Sequence, residues 1–178
     1  MSPVTDLTLP AYAPKLGKYA DYHWNDAAFA LYSLVDISEA QIGDVASELE
    51  REWLEDEMET HLVLPAKPTA SFAGKTLKDV VQAHVAMDMG IRKNKDRDSR
   101  GDLSWRPTSF MVIVKKEWKS RGGLLFVFVD DEQERCPLDK FFLRPEDAHL
   151  LLSSLVFGDE WLADVKDQYA ADEDETED

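Results

Sequence analysis

The chain has 178 residues, a formal charge of −16, and a composition that is 44% apolar and 31% charged. These values are typical of one globular domain large enough to bury a core without metal or disulfide staples, and they exclude an extended disordered chain. The acidic excess disfavours a protein that coats DNA, RNA or an anionic membrane, because such a body repels polyphosphate.

The N-terminus carries neither the basic nor the apolar region of a signal peptide, and no run of about 18 apolar residues could span a bilayer. The single cysteine, Cys136, cannot form an internal disulfide, which suits a reducing compartment. We therefore expect a cytoplasmic protein without membrane contact, with the nucleus as the alternative compartment.

The first 35 residues of the chain predict an arm followed by a buried helix. Residues 1–20 are rich in proline and are expected to form an extended arm on the domain. After it, Asn25 or Asp26 can cap residues 27–35, which are apolar nearly all round. A helix of that kind is usually buried.

A long acidic helix is predicted next, over residues 39–59. Ser38 and Gln41 have the spacing of a capping box, and apolar residues then recur at steps of three and four. We expect its carboxylates, Glu50 among them, to form a solvated face or to dock a basic partner. The candidate contacts on this helix are Glu52, Glu55, Asp56 and Glu59.

A second helix and a long loop are predicted in the middle of the chain. A short strand over 61–64 precedes Thr76, which has the position of an N-cap with Asp79 three residues later. The helix should run to Met89 and stop at Gly90. Residues 90–108 are polar, charged and without periodicity, which predicts a long basic loop.

The clearest strand signals follow that loop. Residues 109–115 and 124–130 are apolar runs that flank a turn with two glycines, and a third strand is expected over 139–143. The first two runs are apolar on both faces, which places them centrally in a covered sheet. The chain therefore predicts a single α/β or α+β domain over 21–170, with a small central sheet and helices on both faces.

The C-terminal part predicts two helices and a tail. Pro145 opens a helix that Gly158 ends, and Asp159 can cap a last helix. Six of the last eight residues, 171–178, are acidic, which predicts a disordered tail.

A cationic strip extends from Ile91 to Arg121, with ten of the chain's 20 lysines and arginines against four carboxylates. It can fold against the protein's own acidic surface, contact another protein, or bind single-stranded nucleic acid through Trp118 and a second tryptophan, the least favoured of the three. Its last part, from Lys115 onward, is expected to be a hairpin turn. The candidate contacts are Arg92, Lys93, Lys95, Arg97, Arg100, Trp105 and Arg106.

The sequence also contains a degenerate P-loop-like segment at Gly74-Lys75-Thr76. With Asp130, which ends an apolar strand, Lys75 and Thr76 have the order of a nucleotide-binding site. The P-loop pattern requires a glycine where this chain has Thr69. A turn and helix cap are therefore the favoured interpretation, and nucleotide binding is the alternative.

The histidines and the cysteine do not combine into a site. His84 and Asp88 lie four residues apart on one predicted helix, but two ligands do not hold a metal. Cys136 has no histidine at local spacing and is expected to be a small buried hydrophobe. The sequence predicts no catalytic residue, metal or cofactor.

The order of these segments resembles a family of small uncharacterised α/β domains found in bacteria and fungi, over residues 22–165. That family has no assigned activity, so the resemblance implies a fold and transfers no functional residue. The segments that carry it are Asn25–Leu31, Phe72–Leu77, Ser109–Val114, Leu124–Asp130 and Leu152–Trp161.

Charge segregation without an intact catalytic motif favours a non-enzymatic protein-interaction or regulatory domain. Its partner is expected to be another protein; the sequence indicates no oligomeric state. The alternatives are a nucleotide-binding protein or enzyme, a single-stranded nucleic-acid binder, and an acidic immunity or decoy protein for a strongly basic partner.

Overall fold

The structure is a computed structural model that describes residues 5–12, 24, 26–87, 90, 92–93, 101–130 and 133–171. Most of the predicted arm and tail lies outside these residues, as do Lys95, Arg97 and Arg100. Among the described residues, no helix is both long and apolar enough to cross a membrane.

Seven strands are described: β1 Ala28–Ser33, β2 Val63–Pro65, β3 Arg92–Lys93, β4 Gly101–Asp102, β5 Trp105–Ile113, β6 Leu124–Val129 and β7 Leu138–Phe142. Five of them form one sheet with the order β2-β1-β5-β6-β7, and β3 and β4 form a second, two-stranded sheet. β1 is parallel to both β2 and β5, whereas β5, β6 and β7 form an antiparallel meander. The three predicted strands of the meander are confirmed.

Five helices are described: α1 Glu39–Leu49, α2 Arg51–Glu55, α3 Leu77–Ala86, α4 Ala148–Phe157 and α5 Val165–Tyr169. The capping box predicted at Ser38 and the N-cap predicted at Thr76 are both present, and Gly158 ends α4 in the left-handed conformation with a φ of 75°. The predicted last helix begins only at Val165, after turns.

The helices cover both faces of the sheet. The connection from β1 through α1 and α2 leads outward to β2, and the connection through α3 leads back across β1 to β5. Because such crossovers are right-handed, these two connections lie on opposite faces. The ring of Trp53 in α2 lies 5.6 Å from that of Phe157 in α4, which places α4 beside α2. The predicted single domain with helices on both faces is confirmed.

The segment predicted as the first helix is the central strand, β1. All six of its residues are buried, and its backbone pairs with β2 on one side and β5 on the other. A short apolar run fits a buried helix and a central parallel strand equally well, because its periodicity does not distinguish them. The sheet decides the outcome, since a helix here would leave β2 and β5 without a shared partner.

The predicted basic loop over 90–108 is shorter than expected, because β5 begins at Trp105 and two short strands, β3 and β4, precede it. Pro107 is unusual within a strand, since proline cannot donate a ladder hydrogen bond. It lies where the pairing of β1 with β5 shifts register, between Ala28 opposite Trp105 and Ala30 opposite Phe110. An irregularity of that kind accommodates proline within a strand.

The predicted helix over 39–59 is interrupted at Glu50, which caps the end of α1. Glu50 is 3% exposed and turns inward, so its expected place on the solvated face is wrong. Its Oε2 accepts hydrogen bonds from the backbone N–H groups of Leu62 and Val63 at 2.9 and 3.1 Å, and its Oε1 lies 2.8 Å from Nδ1 of His61. This carboxylate fixes the start of β2 against α1.

We expect Glu50→Ala to lower the free energy of unfolding by about 2–4 kcal/mol, because it leaves two buried N–H groups without an acceptor. The exposed Glu55 on α2 provides the matched control, and Glu55→Ala should change stability by less than about 0.5 kcal/mol. Urea denaturation of both variants measures the difference. Equal stabilities would show that Glu50 does not hold β2.

Candidate interaction surface

The acidic candidate contacts all lie on one exposed part of the molecule. Glu52 and Glu55 belong to α2, Asp56 and Glu59 follow it, and all four are exposed. From position 51 to 59 the chain carries five carboxylates against one arginine. This segment therefore presents a dense negative charge to solvent.

Large apolar side chains are exposed along α4 and just beyond it. Leu150 is 56% exposed, Phe157 is 61% exposed, and Trp161 is 71% exposed. Leu150 and Phe157 are two helical turns apart and so lie on one face. The helix buries Leu151 and Leu152 on its inner side, which leaves the outer apolar residues uncovered.

α2 and α4 are in contact, so their exposed residues belong to neighbouring surfaces. Besides the contact between Trp53 and Phe157, Nε2 of His149 lies 3.8 Å from Oε2 of Glu52. We call the exposed side of these two helices and their following turns the α2–α4 face. Its members are Glu52, Leu54, Glu55, Asp56, Glu59, Leu150, Phe157 and Trp161.

The chain segments that form the α2–α4 face carry more carboxylates than basic side chains, although Asp147 is paired with Arg144. In addition to the carboxylates near α2, residues 145–164 contain five carboxylates and no lysine or arginine. Apolar anchors surrounded by one sign of charge are suited to a partner that is itself apolar and of the opposite sign.

A groove of about 340 Å³ lies at the start of α4, where the hairpin between β5 and β6 meets α1 and α2. Nζ of Lys119 forms an ion pair with the carboxylate of Glu48, so the groove's charges partly neutralise one another. Nδ1 of His149 is buried there without a hydrogen-bond partner among the described residues. The groove is lined by Glu48, Leu49, Arg51, Glu52, Trp118, Lys119, Pro145, Glu146 and His149.

The cationic strip is divided between the two ends of β5. Its last part is the expected hairpin turn, where Lys119 folds against α1 and Nζ of Lys115 donates to the carbonyl of Arg121. Trp105 and Arg106 lie at the other end of β5, roughly 25 Å away at the usual rise of a strand. The described residues of the strip therefore do not form one continuous patch.

Trp105 and Arg106 do not occupy an exposed loop as predicted, because both are buried in β5 at 7% and 9% exposure. A buried indole cannot stack on nucleic-acid bases. The backbones of Arg92 and Lys93 form β3, next to that end of the sheet. For the rest of the predicted loop contacts, which fall outside the described residues, the prediction stays untested.

The nucleotide-binding candidates are not brought together. Ser71 bridges to Ser33, so the segment with Lys75 and Thr76 lies at the carboxyl end of β1. Asp130 follows β6. This strand runs antiparallel to β5, and therefore to β1, so its carboxyl end lies at the opposite end of the strands. The hydroxyl of Thr76 is engaged with Asp79 in the helix cap. A turn and cap thus account for this segment.

The buried His84 forms a structural link between α3 and the sheet. Its Nε2 donates to the carbonyl of Arg106 at 3.0 Å, so its Nδ1 accepts from the hydroxyl of Tyr32 at 2.8 Å. Burial lowers the pKa of His84 to about 4 and raises the pKa of Tyr32. His84 and Tyr32 are 0% and 1% exposed, so we interpret this pair as a packing element of the core.

The described residues contain no cluster of three or more histidine, cysteine or carboxylate side chains that could hold a metal ion. No known protein family matches the chain, and neither a curated protein nor a solved structure shows significant similarity to it. The resemblance to a family of small α/β domains therefore stays a prediction.

The exposed apolar residues of α4 were not among the predicted contacts. A signal for them exists in the segment 148–157, which is apolar on more sides than one helix face can bury. That excess predicts either full burial or an uncovered stripe, and only the packing shows which.

We expect His84 to make the protein less stable in mild acid. Its pKa is 6.5 when unfolded and about 4 when folded, so the unfolded state binds more protons between these values and stability falls as the pH is lowered through them. Relative to His84→Gln, which does not titrate, the wild type should lose about 2 kcal/mol from about pH 7 to about pH 5. The free energy of unfolding of both proteins is measured by urea denaturation as a function of pH. The expectation is contradicted if the two free energies change in parallel with pH.

Proposed function

We propose that this protein is a non-enzymatic interaction domain that binds, through its α2–α4 face, a protein segment with apolar and basic side chains. The observation that carries the proposal is the exposure of Leu150, Phe157 and Trp161 beside the acidic residues of α2. A monomeric surface gains nothing by holding three large apolar groups in water. Binding of a partner that covers these side chains is favoured, because it removes their apolar surface from water.

The two kinds of residue on this face contribute differently to binding. The apolar side chains supply affinity, because aromatic residues and tryptophan above all are the usual anchors of protein interfaces. The carboxylates accelerate encounter with a basic partner and repel acidic ones, and so provide selectivity. An interaction of this kind should weaken with salt mainly through its association rate.

The cationic strip supports this proposal less well than the acidic surface does. One part of it is held by the protein's own Glu48, and another part is buried in β5. We therefore assign the partner to the α2–α4 face. Cys136 is an exposed free thiol, so its predicted burial is wrong. An unpaired thiol suits the reducing cytoplasm, where we propose that the protein acts.

We expect the double variant Leu54→Ser and Leu150→Ser to weaken partner binding at least about tenfold, because it removes two apolar side chains of the α2–α4 face that are 42% and 56% exposed and leaves the core unchanged. Partners captured from cells by cross-linking are purified and their dissociation constants are then measured by calorimetry. Tyr12→Ser, which removes an exposed aromatic residue outside the face, is the matched control. Equal affinities of the double variant and the control would contradict the proposal.

A second set of variants tests the acidic half of the face. Neutralising positions 52, 55, 56 and 59 to amides should slow association with a basic partner roughly tenfold at low salt and reduce its salt dependence. Reversing Arg92, Lys93, Lys95, Arg97 and Arg100 to glutamate serves as the comparison, and it should not slow association. If the charge-reversed variant associated more slowly and the neutralised variant did not, the contact would be assigned to the cationic strip instead.

A further inference from the structure

A second groove, of about 300 Å³, lies at the far end of α4 from the first. Arg106 and Thr108 of β5 line it together with Phe157 and Trp161. Its volume is at the small end of the range for ligand pockets in proteins. It therefore suits a small organic group better than a folded chain.

Arg106 gives this groove a fixed positive charge. The residue is 9% exposed, and its guanidinium carbon lies 4.8 Å from the ring centroid of Phe29. Burial lowers the pKa of Arg106 to about 10, opposed by the charge of Asp26, so the side chain stays protonated at neutral pH. A buried guanidinium attracts an anion more strongly than one in water does, because the surrounding dielectric constant is lower.

The rest of the groove restricts the kind of anion that can enter. Its lining includes two aromatic residues, Phe157 and Trp161, and a residue with a hydroxyl group, Thr108. Glu160 lines the same groove, and the chain as a whole carries a charge of −16. A single arginine in this field suits one negative charge on a planar group, as in a carboxylate, and disfavours polyphosphates.

We propose that this groove binds a carboxylate attached to an apolar or aromatic body, with the carboxylate at Arg106 and the body against Trp161. Such a group occurs in free small molecules and at the C-terminus of a peptide that ends in an apolar residue. In the second form the inference rests on the proposed interaction function, because the peptide would be the end of the partner bound on the α2–α4 face.

The test titrates the full chain with 2-naphthoate and follows backbone amide shifts by NMR. We expect saturable shifts at the groove, and binding at least about tenfold weaker for the neutral 2-naphthamide. Inorganic phosphate should bind at least about tenfold more weakly than 2-naphthoate. Equal binding of acid and amide, or no shifts at the groove at roughly 10 mM 2-naphthoate, would overturn the proposal.

Two variants locate the binding. Trp161→Ala changes an exposed residue and should weaken 2-naphthoate at least about fivefold, and Arg106→Gln should abolish its preference over the amide. Arg135→Gln removes an exposed charge elsewhere and should change the affinity less than about twofold. If Arg106→Gln fails to fold, the Trp161→Ala variant and the comparison with 2-naphthamide still test whether the groove binds a carboxylate. Unchanged binding of 2-naphthoate by Trp161→Ala would overturn the proposal.

A second arm separates the two sources of the carboxylate. Short peptides that end in phenylalanine, with a free or an amidated C-terminus, are titrated in the same way. Tighter binding of the free form than of 2-naphthoate assigns the groove to a peptide terminus, and the reverse order assigns it to a small molecule. This arm uses no captured partner, so its failure is distinguishable from failure of the Leu54 and Leu150 test.

Discussion

Strand β1 pairs in parallel with β2 on one side and β5 on the other while all six of its residues are buried, so both faces of the sheet must be covered. The right-handed connections supply that cover, with α1 and α2 on one face and α3 on the other. α4 extends the first layer over the meander and packs against α2. Because no further layer follows among the described residues, its outer apolar side chains remain in solvent.

The carboxylates of this acidic chain serve two physically different purposes. Glu50 is buried and accepts backbone hydrogen bonds that hold β2, and Glu39 similarly accepts from the backbone of Ala70 and Ser71. Those of α2 and the turn after it point to solvent, where they repel one another and give the α2–α4 face its charge. Neighbouring positions in one acidic run therefore contribute to stability and to recognition separately.

Much of the fold could be predicted from short-range signals. Ser38 and Thr76 begin helices because their side chains cap nearby N–H groups, and Gly158 ends α4 because it adopts a positive φ at little cost. The hairpin between β5 and β6 follows from Gly122 and Gly123; a side chain at Gly123 would meet the carbonyl of Trp118 at 2.5 Å. The prediction of β1 as a helix was wrong because its strand conformation depends on backbone pairing with β2 and β5, which are distant in sequence.

The sequence by itself determined the charge segregation, the helix caps, the central hairpin and the single-domain α/β class, because each depends on composition or on residues a few positions apart. Only the tertiary structure decided that Asp130 and Lys75 lie at opposite ends of the strands of the sheet. It also decided that the described part of the cationic strip is divided between the two ends of β5, and that Arg106 lines a groove with Trp161. These relations depend on strand order and direction, which arise from pairing between distant segments. The exposed apolar stripe of α4 was likewise decided only by the tertiary structure, because the burial of a helix residue depends on what packs against the helix.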